Sequence, residues 1–233
     1  MMKLNLEVIK NEFLGGWKPF ELVWLAIFLS VQVIVYIIEP DSLLAMISGI
    51  AGILCVVFVS KGKISNYFFG LIFAYTYFYV AWQANYIGEM NTVLYVYIPA
   101  QFIGYFLWKD NLQKGASHTE SVISKSLTLK GWIMTLSAIT VGTLLFVQAL
   151  KSAGGSVVGL DGLTTVIVVV AQLLMVLRYR EQWILWIALN VISIALWMQA
   201  KEGSLSIVAM YFAYLLNSLY GYYNWRKLEK AKV

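Results

Sequence analysis

Residues 183–197 read WILWIALNVISIALW, a largely apolar run with an amide, Asn190, at its middle. On a helix, Trp183, Trp186 and Asn190 fall within a sector of about 60° and climb about 10 Å along the axis. Two indoles and one amide therefore share a wall. An indole face holds a flat organic cation with ~2 kcal/mol once water is excluded, and an amide offers both a donor and an acceptor to hydroxyls. An amide surrounded by hydrocarbon needs hydrogen-bond partners, which neighbouring helices or a bound solute can supply. Both uses of Asn190 stay open on these grounds alone.

The other polar side chains inside apolar runs are neutral as well: Tyr97 and Gln101, Gln172, and then Tyr214, Asn217 and Ser218. Glu21, Asp161 and Glu181 fall at the ends of such runs. Carriers coupled to protons or sodium keep a carboxylate at depth, so this pattern points away from ion coupling. A phosphate-gripping glycine loop is missing, which disfavours an ATP-driven pump. Cys55 and His118 are the single residues of their types, so neither a disulfide nor a metal site is expected, and no cofactor. Nucleophile–base and paired-carboxylate arrangements are absent from the runs, and an enzyme is not expected.

The elements that would carry these side chains are membrane helices. The 233 residues are 61% hydrophobic and 12% charged, with a mean hydropathy of +0.75, far from the profile of a soluble domain. Eight stretches are long and apolar enough to span a bilayer, at approximately 20–38, 42–60, 66–83, 90–108, 131–150, 157–177, 183–200 and 204–224. The segment 109–130 is polar and long enough to be a mobile loop. Gly88 and Gly154–Gly155, near the outer face, read as turns or as hinges. The opening residues lack a small-residue cleavage site, so no signal peptide is expected. Of 17 Lys and Arg, 15 lie on the side that holds both termini and 2 on the other. That asymmetry puts both termini in the cytoplasm and explains the net charge of +5 without nucleic acid.

GYFLWK (104–109) recurs as GYYNWR (221–226) at an offset of 117, which also brings Tyr97 onto Tyr214. The preceding spans align at an offset of 115, with Lys63 on Arg178 and Trp82 on Trp197. Two three-helix units follow, pointing the same way and joined by a single helix, a plan that places substrate near the midplane. The expected fold is an all-α polytopic membrane protein with an N-terminal helix and a 3+1+3 arrangement. Its segments are 1–41 with the first span, 42–108 as the first unit, 109–150 as loop and linking helix, 151–224 as the second unit, and a basic tail at 225–233.

Glu181-Gln-Trp-Ile-Leu-Trp-Ile-Ala-Leu-Asn190 contains W-x-x-W-x-x-x-N, and here the sequence resembles the PnuC family of bacterial vitamin transporters. The likeness runs over most of the chain after residue 42 and takes in aromatic-rich spans such as NYFFGLIFAYTYFYVAWQ. In plan it is similar, more distantly, to the doubled three-helix SWEET carriers. The resemblance implies an inner-membrane carrier of nicotinamide riboside by facilitated diffusion, with a cytoplasmic kinase trapping the incoming nucleoside. It also implies a homotrimer. Trp183, Trp186, Asn190, Gln101, Tyr97, Tyr214 and Asn217 are the candidate substrate-binding residues. Nicotinamide riboside has a flat cationic ring and ribose hydroxyls, which suit this neutral aromatic wall, whereas a phosphate would need a deep cation that the spans lack. Relatives of the family carry thiamine or riboflavin, and an aromatic wall accepts those rings too. A reading of another class is a structural or sensory membrane protein in which Asn190 and Gln101 join helices and 109–130 is the effector surface.

Overall fold

The computed structural model describes residues 6–38, 42–83, 87–114, 120–152, 159–199 and 205–230; His118, Gly154 and Gly155 lie outside them. The described residues form helices and one short hairpin, joined by turns and extended segments. It divides into two compact units, Met1–Ile123 with Asn224–Val233, and Ser124–Tyr223.

The first unit begins with a short amphipathic helix, α1 (Leu6–Leu14), followed by α2 (Pro19–Ile38) and α3 (Leu43–Ser60). Pro19 opens α2 with the ring geometry a first helical position favours, and the Glu21 carboxylate accepts the Lys18 N–H at 2.8 Å. Ser42 caps α3 by accepting the Ala45 N–H at 3.1 Å. Among the residues of α2 only Glu21 and Phe28 are buried. Its Val31, Ile34 and Ile37 face outward, an arrangement that is stable against lipid and costly against water.

α4 (Asn66–Gln83) packs on α3 and on α6 (Ile98–Lys109). The expected fourth span is not one uniform helix. It runs as α5 (Ile87–Thr92), a π-helical turn over Val93–Tyr97, and then α6. Pro99 lacks the N–H that would continue the α-helical ladder, and just before it the Ile98 N–H reaches back five residues to the Val93 carbonyl.

Segment 109–130 also differs from a loose loop. Its β1 (Leu112–Lys114) pairs antiparallel with β2 (Glu120–Val122), Val122 is fully buried, and Gln113 Nε2 donates to the Leu228 carbonyl at 3.2 Å. Backbone pairing is what orders a polar stretch that hydropathy reads as free.

The turn after α3 clamps the N-terminal segment. Lys61 pairs with Glu21, donates to the Gly16 carbonyl at 3.0 Å and stands 4.7 Å from the centre of a Trp17 ring. Lys63 donates to the Asn11 and Glu12 carbonyls at the end of α1, where a helix dipole favours a cation. Glu12 in turn accepts the Ser65 N–H at 2.9 Å. Burial pulls both ammoniums below the usual lysine range, and Glu21 opposes that shift at Lys61. Removing one partner of such a buried pair costs about 3–5 kcal/mol.

The second unit contains α7 (Leu129–Ser152), α8 (Gly159–Val176), α9 (Gln182–Gln199) and most of α10 (Leu205–Lys230). α8 packs on α7 and α9 around Ile139, Ile167, Ala171, Leu174, Leu185 and Leu189. Like α2, α7 buries few of its side chains, Thr135 and Ile139 among them, and turns Leu136, Leu144 and Leu145 outward.

Each unit contains the same turn. After α3 the N–H groups of Lys61, Gly62 and Lys63 donate to Val57, Val59 and Phe58; after α8 those of Leu177, Arg178 and Tyr179 donate to Leu173, Met175 and Leu174. Gly62 and Arg178 both have φ of +68°. The left-handed conformation is free for glycine and costs about 1 kcal/mol for arginine. The Gly62 carbonyl accepts the Val122 N–H at 2.8 Å, and the Arg178 carbonyl accepts that of Lys125 at 2.8 Å. The backbone thus pairs Gly62 with Arg178 and Lys63 with Tyr179, one residue away from the sequence match of Lys63 to Arg178.

Candidate substrate-binding site

Five of the seven candidate residues lie in the second unit. Glu181, just before α9, accepts the Leu127 N–H at 3.0 Å and an Arg180 Nε–H at 3.1 Å, which fixes the approach to the helix. Trp183 is 3% exposed, and its indole covers Gly221 of α10; a β-carbon there would stand 2.6 Å from Cε2 and Cζ2. Trp186 is half-buried against the cluster of Leu185, Leu189 and their neighbours. Asn190 is buried, and its Nδ2 donates to Ser218 Oγ at 3.3 Å. Ser218 Oγ donates in turn to the Tyr214 carbonyl, one turn earlier in α10, at 2.8 Å. Tyr214 therefore enters this chain through its backbone, while its ring is 6.5 Å, edge-on, from Tyr211. Asn217, 1% exposed, is the buried neighbour of Ser218.

Tyr97 and Gln101 belong to the first unit and have their own neighbours there. Tyr97, within the π-helical turn, has its ring 6.1 Å from Phe73 of α4. Gln101 is 4% exposed and fills the space where a β-carbon on Gly70 would be. One turn on, Tyr67 covers Gly104 as Trp183 covers Gly221, with a would-be β-carbon 2.5 Å from its ring.

Sequence reasoning did not single out Gln182 or Asn66. Each is fully buried at the start of its helix, α9 or α4. Neither amide nitrogen nor oxygen of Gln182 has a partner among the described residues, and Asn66 Oδ1 has none. The signal was present: Gln182, Trp186, Asn190 and Trp183 fall within about 100° on one helix. It was masked because Gln182 looks like a helix end next to Glu181.

Apolar helices that turn aliphatic side chains outward and bury neutral amides and aromatic rings define a polytopic membrane protein. Residues 42–227 match the nicotinamide mononucleotide transporter family. The chain belongs to that family, which is one of transporters and not of enzymes. It is 68% identical over 222 residues to the nicotinamide riboside transporter PnuC of Haemophilus influenzae, covering 95% of this chain and 96% of that one. A Neisseria mucosa protein of the same name is 48% identical, over 97% of this chain and 88% of its own length. A crystal structure of the vitamin B3 transporter PnuC matches with a TM-score of 0.86 at 46% identity, covering 98% of this chain and all of that one.

Proposed function

We propose that this chain carries nicotinamide riboside across the bacterial inner membrane by facilitated diffusion. The observation that carries the proposal is the α9 wall: two indoles and an amide, all neutral, on one helix face. The pyridinium would lie against an indole, and Asn190 would meet a ribose hydroxyl. The family takes its name from the mononucleotide, but its relatives here are named for the riboside. Physical chemistry favours the riboside, because the spans hold no Lys or Arg at depth to offset a phosphate's desolvation.

With no ionised group at depth to bind a coupling ion, net uptake would come from a cytoplasmic kinase that phosphorylates the nucleoside and traps it. The recurrence of one turn at Gly62 and Arg178, and of an aromatic ring over glycine at Gly104 and Gly221, supports the doubled three-helix plan with eight spans and a linking helix. The charge asymmetry supports cytoplasmic termini. A homotrimer in the lipid bilayer completes the proposal. Its test is uptake into liposomes containing the purified protein: labelled nicotinamide riboside is expected to equilibrate, unchanged by a pH or sodium gradient. Accumulation driven by either gradient without a kinase would reject facilitated diffusion.

A further inference from the structure

Resting on that reading, we propose that Ser218 is a positioning residue that fixes the polarity of Asn190, so that the site presents a hydrogen-bond acceptor and selects a ribose hydroxyl as donor. A serine hydroxyl has one proton to give. In Ser218 that proton goes to the Tyr214 carbonyl at 2.8 Å, and the lone pairs of Oγ are left facing Asn190 at 3.3 Å. Only a donor can satisfy them, so the amide nitrogen is turned toward Ser218. Among the described residues this is the one hydrogen bond of the Asn190 side chain, and Oδ1 is the atom left for a ligand. Two adjacent helices thereby set the orientation of an amide that would otherwise present either end.

The consequence is a selectivity that geometry alone would not give. A ribose hydroxyl donates to Oδ1. A fluorine of similar size at the same carbon cannot donate, and it meets the oxygen as one acceptor against another. If the Ser218 hydroxyl is removed, the amide is free to turn and offer Nδ2. The hydroxyl of the natural substrate can pair with either end, whereas the fluoro analogue gains a partner it lacked.

The experiment titrates purified wild type, Ser218→Ala and Ser218→Thr with nicotinamide riboside and with its 2′-fluoro and 3′-fluoro analogues, and records each melting temperature. Ser218→Gly removes the same hydroxyl and takes the place of the alanine variant if that one is not recovered folded. For wild type, at least one fluoro analogue is expected to bind roughly tenfold or more weaker than the riboside. In Ser218→Ala the riboside is expected within about threefold of wild type, while that analogue gains and the ratio falls severalfold. Ser218→Thr, which keeps the hydroxyl, is expected to retain the wild-type ratio. An unchanged ratio in a folded, riboside-binding alanine or glycine variant would overturn the role of Ser218 alone. Failure of wild type to bind the riboside would overturn the proposed function, and this inference with it.

Discussion

The Trp183 indole lies on the bare backbone of Gly221, close enough that a β-carbon there would stand 2.6 Å from Cε2 and Cζ2. An indole fused into two rigid rings has no flexible end to move aside, so Gly221→Ala must displace the ring or the helix. We expect a loss of about 1–3 kcal/mol in stability from overpacking, read as a lower melting temperature. Binding of the riboside is expected to weaken as well, because the displaced ring belongs to the wall. An alanine variant that melts and binds as wild type would show that the contact is slack.

Gln182 gives the opposite prediction for stability. Both polar atoms of its amide are buried without partners among the described residues. Gln182→Met keeps the length of the side chain and removes the two unmatched groups. Exchanging unsatisfied polar atoms for apolar ones of the same shape is neutral or stabilising, by about 1–3 kcal/mol at most. The melting temperature of the ligand-free protein is therefore expected to hold or rise. A clear fall would mean that the amide has a structural partner.

At Asn190 one amide has two ends, so a single substitution has two readouts. Asn190→Leu is expected to lower affinity for the riboside about tenfold or more, by removing the Oδ1 that the proposal pairs with a ribose hydroxyl. It is also expected to lower stability only modestly, since interhelical hydrogen bonds in membranes are worth about 0.6 kcal/mol. Trp186→Leu keeps apolar volume against the Leu185 and Leu189 cluster and removes the π face. It should weaken the cationic riboside more than an uncharged analogue of the same shape. Full affinity in an early-melting Asn190→Leu protein would reduce Asn190 to helix glue.

The helical fold was legible because apolar length and charge asymmetry are additive signals that survive the absence of any contact information. The interruption at Val93–Tyr97 was not: Pro99 was visible, but whether it kinks, ends or widens a helix depends on how the neighbouring carbonyls are satisfied. The wall of Trp183, Trp186 and Asn190 was readable from helical periodicity. Ser218 was visible as a polar residue, but its role was not, because it depends on a contact 28 residues away in sequence. Gln182 and Asn66 were hidden by position. Amides at helix starts are usually hydrated caps, and only packing shows that these two are fully enclosed. The turn register shifted by one residue because side-chain similarity paired Lys63 with Arg178, whereas the backbone pairs the two left-handed residues, Gly62 and Arg178.

The most direct test of the central claim is a binding titration of the purified protein with nicotinamide riboside, nicotinamide mononucleotide, thiamine and riboflavin, read by calorimetry. Selective binding of the riboside in the micromolar range, with the mononucleotide excluded by its phosphate, is the result predicted here. Binding of thiamine, riboflavin or the mononucleotide in place of the riboside would contradict it.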